Sequence, residues 1–392
     1  MKKFKLGLLP KLIIGILIGI LIGSFAPKVV VEVLVTFSSL FASFLKFTIP
    51  FIIIGFIVVG IADLAKGAGK LLFITTGISY FSTITAGIIS YLVASNLFPL
   101  FIKSNITNVS DPSTSMLEPI FSVPIAPLMD VTTAIVFAFM IGLGLSVLRT
   151  NNRGVELYNV ACDFQDIVKM VLSNVIIPIL PFYIAGTFAN ITFSGEVFRI
   201  VDVFWKVFLV IIPLHIIYIS AMFIVAGIIS KKNPFKMIKN QVLGYVTALG
   251  TQSSAATIPI NIQCAEKNGV SKKIREFTVP LCATIHLSGS IISLMSFSTA
   301  VLMMNSMDYS FEIMLPFLLV LGIAMVAAPG APGGAIMSAL PFLPMIGIPS
   351  DGGLASIMIA LYITQDSFGT AANVSGDNAI AVVIDKISTK IK

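Results

Sequence analysis

Asp366, Thr370, Asn373 and Asp377 follow one another at spacings of four, three and four residues. In a helix that spacing stacks them on one face. Two carboxylates, a hydroxyl and an amide on one stripe can hold an ammonium group, a metal cation, or both. They sit in the run "LYITQDSFGTAANVSGDNAIAVVIDK". The alternative for the carboxylates is a buried ion pair with Lys46 or Lys169. His286 lies in "CATIHLSGSIIS", close to Thr284, Ser288 and Ser290. With an ordinary pKa of about 6.5, an imidazole there can carry a proton; its alternative is a packing residue. His215, after Pro213, has no such company in sequence and reads as structural. Cys162, Cys264 and Cys282 lie in apolar stretches without metal-ligand spacing. No nucleophile–base pair, metal cluster or phosphate loop stands out, so an enzyme is not expected.

These polar groups stand in a chain that is 57% hydrophobic and 11% charged, with a mean hydropathy of +1.01. A soluble domain carries roughly 25% charged residues, so the composition is that of an integral membrane protein. The net charge of +7 is scattered through short loops, which argues against nucleic-acid binding. Runs long enough to span lie near 10–26, 40–62, 71–101, 123–148, 160–190, 200–229, 277–304, 313–346 and 354–385. The first follows a basic start and reads as a retained helix rather than a signal peptide. Threading from a cytoplasmic N-terminus puts 19 of the 25 Lys and Arg inside and four outside. That is the bias of the positive-inside rule, and both termini are then cytoplasmic. The segment 240–275 is too short and too polar to span twice, so it reads as a re-entrant hairpin. Charge at membrane depth is costly, which makes Asp366 and Asp377 functional candidates.

Two regions break the spanning pattern. In Leu249–Lys267 the polar tip Thr251-Gln252-Ser253-Ser254 interrupts an apolar run and Pro259 follows. In Met325–Met337 two prolines and three glycines do the same. Neither can continue as a lipid-facing helix, and irregular backbone at that depth is tolerated only inside protein or beside a cavity. Interrupted segments in corresponding places point to a transporter binding site. Each is followed by a helix with polar residues in its middle, and the two enter from opposite sides. That is an inverted repeat in topology.

"QSSAATIP", "ATIHLSGS", the proline-glycine tip and "DSFGTAANVSGD" fall in an order and spacing that resembles the dicarboxylate/amino acid:cation symporter family, to which the glutamate transporters belong. The resemblance covers almost the whole chain and is strongest from about 240 to 385. It implies that Asp366 takes the substrate's amino group, with Thr370 as the neighbouring hydroxyl and Asn373 touching the substrate's backbone end. Ser253, Ser254 and Ser290 would contact the substrate, and Gly330, Ala331 and Gly334 would belong to a gating second hairpin. Asp377 and Asn373 would serve a sodium site, completed near Cys282 and His286. Members taking acidic substrates carry an Arg where this chain has Gly369, and some carry another where it has Gln252. With neither cation present, a substrate side-chain carboxylate would be buried unpaired at high cost. "QDS" and "SSAA" resemble the serine/threonine branch. The family's Asn-Met-Asp-Gly-Thr motif reads His286-Leu287-Ser288-Gly289-Ser290 here, and another family Asp is Tyr362. Fewer coupled sodium ions are therefore expected, or a proton on His286.

The expected fold is an all-α membrane protein of eight transmembrane helices and two re-entrant helical hairpins in an inverted repeat, of the elevator type. Residues 1–229 form mainly scaffold and trimerisation helices, with the third and sixth spans joining the transport unit. Residues 240–392 form the transport core: a hairpin over 240–270, a helix over 274–304, a second hairpin over 313–350 and a last helix over 354–386. The expected activity is cation-coupled symport of a small neutral amino acid by a homotrimer in the plasma (inner) membrane of a bacterium. The alternative is a proton-coupled or uncoupled transporter of an acidic or other amino acid on the same fold. No cofactor is expected beyond the coupling cation, Na+ or H+.

Overall fold

Prolines and glycines determine where the helices of this chain stop, bend and touch. The computed structural model describes residues 8–64, 69–102, 117–129, 131–195, 197–326, 328 and 333–391. Among these residues all regular structure is helical. Five helical runs are long and apolar enough to cross a membrane: Lys28–Ala62, Leu71–Leu100, Val155–Phe193, Val201–Ser230 and Lys272–Met304. Shorter apolar helices occupy Pro10–Phe25, Val136–Thr150, Phe311–Val326 and Gly334–Ile346.

The first part of the chain forms α1 (Leu8–Phe25), α2 (Lys28–Leu64), α3 (Gly69–Leu97), α4 (Val131–Thr150), α5 (Val155–Val171), α6 (Ile177–Phe193) and α7 (Val197–Ser230). α2 starts well before the expected 40, because nothing in Lys28–Ser39 breaks a helix. α4 starts later than the expected 123, because Pro119, Pro124 and Pro127 keep 117–129 non-helical. Between α5 and α6 the helix widens to a π turn at Leu172–Ile176, just before Pro178 and Pro181. Pro178 has no N–H for the ordinary helical bond, which favours such a turn. α1 packs on α6, and α2 packs on α4, α5 and α6. Gly15, Gly19 and Gly23 of α1 face α6 directly. A Cβ at these positions would overlap the carbonyl oxygens of Pro181, Ala185 and Ala189. Small residues of this kind let two helix backbones meet where hydrocarbon offers no hydrophobic drive.

The second part forms α8 (Pro234–Thr251), α9 (Ser254–Lys267), α10 (Lys272–Ile285), α11 (Ser288–Met304), α12 (Phe311–Val326), the short α13 (Gly334–Ala339) with a 3-10 turn after it, and α14 (Gly353–Ile391). α8 and α9 pack against each other as a helical pair. Asn233 caps α8, its side chain accepting from the amides of Phe235 and Lys236 at 2.9 and 3.2 Å, and Pro234 takes the first helical position. Ser253 caps α9 by accepting from the Ala256 amide at 3.2 Å. The expected single helix over 274–304 is interrupted. His286 is extended, with φ −121° and ψ 99°, and Leu287 is non-helical, with φ −120° and ψ 50°.

α14 is the polar helix, and it lies against α7, α8, α9, α10 and α11. α11 is buried along its whole length, and it also packs on α3. α3 and α7 by contrast keep large exposed apolar side chains, among them Phe73, Phe81, Trp205 and Leu209. α10–α11 and α14 are therefore the centre of this part.

The glycine contact of α1 on α6 makes a direct forecast. Gly19→Leu should destabilise the fold by about 1–3 kcal/mol, the usual cost of overpacking. Thermal unfolding in detergent should show a lower midpoint, whereas the same change at Gly77, which has open space around it, should leave the midpoint nearly unchanged.

Candidate binding site in the polar core

The stripe on α14 is buried as a unit: Asp366, Thr370, Asn373 and Asp377 are each at most 5% exposed. Asp366 Oδ2 accepts the Gly333 amide at 2.7 Å, and Oδ1 accepts the Thr370 hydroxyl at 3.4 Å. Gly333 has φ +73°, a left-handed value that turns the chain into α13.

The break between α10 and α11 leaves amides without helical partners. Asn373 takes two of them. Its Oδ1 accepts from Gly289 N at 2.8 Å and Ser290 N at 3.2 Å, while its Nδ2 donates to Ser290 Oγ at 2.9 Å. Asn373 thus acts as a side-chain cap supplied by another helix. One Nδ2 hydrogen remains for a ligand.

At the far end of the stripe, Asp377 Oδ1 stands 2.9 Å from His286 Nδ1, both residues essentially unexposed. His286 Nε2 lies 3.1 Å from Ser82 Oγ on α3, which lies 3.0 Å from the Tyr218 hydroxyl on α7. Among the described residues Asp377 Oδ2 has no hydrogen-bond partner, nor have the buried hydroxyls of Thr83 and Ser288. Oxygens of this kind suit a hard cation. Among the described residues no cluster of three or more His, Cys, Asp or Glu side chains could hold a metal. Cys282 is buried; its Sγ lies 3.6 Å from Ser79 Oγ, and its carbonyl accepts from His286 N at 2.9 Å.

The expected residues are thus brought together in part. Asp366 with Thr370, Asn373 with Ser290, and Asp377 with His286 form three bonded pairs along one buried face of α14. Ser254 is buried at the start of α9, beside α14, and Gly334 is buried at the start of α13. Ser253 uses its side chain to cap α9. Gly330 and Ala331 lie outside the described residues. The alternative ion pair with Lys169 is not formed: its ammonium bonds Gln165 and Asp166 on its own helix, while Asp377 pairs with His286. The Lys46 side chain lies outside the described residues.

Other polar contacts here were not expected. His215 does have company: Gly289 O, Ser293 and Gln365 surround its ring. Gln252, left-handed at φ +53° in the tip between α8 and α9, donates to Ser367 Oγ at 2.8 Å. Gln241, Asn261, Asn268 and Asn378 form a buried amide network that ties α8 and α9 to α14. Asn378 follows Asp377 on a helix buried on all sides, and that adjacency was the one available signal.

Residues 8–387 match the family model described as the sodium:dicarboxylate symporter family. The chain is similar to excitatory amino acid transporter 3 of Oryctolagus cuniculus, 28% identical over 265 residues, which is 67% of this chain and 49% of that protein. It is 27% identical to excitatory amino acid transporter 3 of Homo sapiens over 265 residues, again 67% and 49%. With excitatory amino acid transporter 1 of Ambystoma tigrinum it shares 24% over 296 residues, 73% of this chain and 53% of that protein. The chain spans about half the length of these curated relatives.

The doubly used Asn373 carries a prediction. Asn373→Leu strands two buried amides, each worth about 1–3 kcal/mol when left unsatisfied. The variant should unfold at a clearly lower temperature than wild type in detergent. Thr370→Val, which removes only a long 3.4 Å bond, should fall much less.

Proposed function

Because the chain belongs to the sodium:dicarboxylate symporter family, we propose that it is a cation-coupled symporter whose substrate is a small neutral amino acid such as serine, threonine or alanine. The observation that carries this reading is a buried carboxylate with no matching site cation. Asp366 supplies the partner for an ammonium group. Position 369 is glycine, and Gln252 spends its amide on Ser367. Among the described residues no Lys or Arg ion-pairs with Asp366 or Asp377. A substrate carboxylate other than the α-carboxylate would therefore enter unpaired. The α-carboxylate itself has neutral donors available: Ser254 and the amides at the start of α9, the free hydrogen of Asn373, and Ser290. Amides at a helix start suit an anion.

In this mechanism Asp366 binds the ammonium, in exchange for its bond to the Gly333 amide. Sodium is cargo, taken by Asp377 and by oxygens of the α10–α11 break. Asn373 links the two sites, since it caps the break and faces the substrate. The second hairpin, α12 to α13, closes over the bound pair, with Gly334 at the start of α13. α8–α9 and α12–α13 enter the membrane without crossing it, as the two halves of an inverted repeat. α3 and α7 through α14 move as one transport unit against a scaffold of α1, α2, α4, α5 and α6, as an elevator within a homotrimer. The scaffold packing and the separate packing of α3 and α7 on α11 and α14 support that division. The charge bias of the loops supports cytoplasmic termini, and the low-charge, Ile- and Lys-rich composition supports a bacterial inner (plasma) membrane.

The test is uptake of radiolabelled serine, alanine and aspartate into liposomes holding the purified protein, with sodium and pH gradients imposed separately. Serine or alanine uptake driven by sodium is expected, and Asp366→Asn should abolish it. Uptake driven by an inward proton gradient alone would replace sodium as the coupling ion, and robust aspartate uptake would overturn the substrate assignment. A second variant tests the same point. A Cβ at Gly369 meets only ordinary contacts, Ser293 Oγ at 3.5 Å and Gly289 at 3.6 Å. A Gly369→Arg variant that elutes as folded protein on gel filtration should shift selectivity toward aspartate. The gain of a charge-assisted pair, about 1.5–3 kcal/mol, corresponds to roughly ten- to a hundredfold.

A further inference from the structure

His215 enters the polar core from α7 and touches the backbone that Asn373 caps. Its Nε2 lies 2.9 Å from Gly289 O, and its Nδ1 lies 3.2 Å from Gln365 Nε2. The Ser293 hydroxyl is bonded to Gln365 Oε1. A carbonyl oxygen only accepts and an amide nitrogen only donates. Nε2 must therefore carry the ring proton and Nδ1 must accept. Turning the Gln365 amide round would face its oxygen to Nδ1 and require a second ring proton. The neutral ring thus has one consistent arrangement, with every bond of the circuit made. All three residues are buried, His215 wholly.

The circuit bears on the site through Gly289 and Gln365. The Gly289 peptide is held from two sides: His215 takes its carbonyl, and Asn373 takes its amide. At the same point α11 and α14 come into backbone contact, since a Cβ on Gly289 would overlap Gly369 O. Gln365 immediately precedes Asp366. We propose that His215, Gln365 and Ser293 are positioning residues for the substrate site: their ring of hydrogen bonds holds the α10–α11 break against α14 and so sets where Asn373 and Asp366 stand. This rests on the reading of Asp366 and Asn373 as substrate contacts.

Two measurements test it. The chain has only two histidines, so a nitrogen-15 histidine spectrum is simple to assign with His215→Asn. One ring should be the neutral Nε2–H tautomer, and Gln365→Leu should move its Nδ1 signal. A His215 ring protonated at Nδ1 overturns the ring. The second measurement is kinetic, using whichever of serine, alanine or aspartate wild type takes up best. His215→Leu should raise KM about tenfold, the equivalent of one lost hydrogen bond, with the saturating rate changed far less. His215→Gln, which can still donate to Gly289 O, should restore most of the KM. Gln365→Leu should raise KM as well, and the double variant should be no worse than the worse single one, as members of one network are non-additive. Folding is checked by gel-filtration elution, and Gln365→Leu carries the test if His215→Leu fails to fold. An unchanged KM in folded variants, or a lower rate at unchanged KM, overturns the inference. Should aspartate prove the best substrate of wild type, the neutral-substrate reading falls, while the KM comparison still decides the ring.

Discussion

A helix that carries Gln365, Asp366, Asn373, Asp377 and Asn378 cannot present any face to hydrocarbon, where each unsatisfied polar group costs several kcal/mol. Enclosing α14 is the constraint that organises this structure. Helices from both halves of the chain lie against it, and each brings groups that answer its polar residues. α8 and α9 bring amides to Asn378, α10 brings His286 to Asp377, and α11 brings backbone to Asn373. The polarity of α14 and the irregularity of its neighbours are two sides of one arrangement. Broken helices expose backbone donors, and α14 supplies the acceptors.

That exchange also couples the two regions proposed to bind substrate and cation. Asn373 stands between Asp366 and Asp377 on one face of α14, and it holds the first amides of α11. Any ligand that pulls on its side chain pulls on the break, and the break carries His286, the partner of Asp377. The connection runs through packed side chains and a short backbone segment rather than through distance alone. It gives the cation and the amino acid a shared element to bias, which is what coupled binding requires.

The stripe on α14 was legible because the helical period stacks residues four, three and four apart on one face, whatever surrounds the helix. The break between α8 and α9 was legible from its polar, serine-rich tip. Contacts between distant segments were not. His286 and Asp377 are 91 positions apart, and His215 finds its partners 74, 78 and 150 positions away. Hydropathy and period describe one element at a time, so His215 read as a lone packing histidine. The interruption at His286 and Leu287 was missed for a related reason. Neither residue is a helix breaker. The non-helical backbone is held by what α14 and α7 offer it, and local propensity carries no trace of that.

Gly289 and Gly369 face each other where α11 meets α14, yet they answer to different demands. At 289 packing allows nothing larger, because a Cβ would overlap the carbonyl of Gly369 and the side chain of Ala372. At 369 a Cβ would meet only ordinary contacts, and the backbone there is helical. Glycine inside a helix costs about 1 kcal/mol relative to alanine. The fold would therefore be more stable with alanine at 369, and packing does not exclude its methyl group. What the glycine leaves is a position without charge one turn from Asp366. An ammonium can be paired there, and a second carboxylate cannot. In that sense the selectivity proposed for this chain is set less by a group that is present than by a charge that position 369 does not carry.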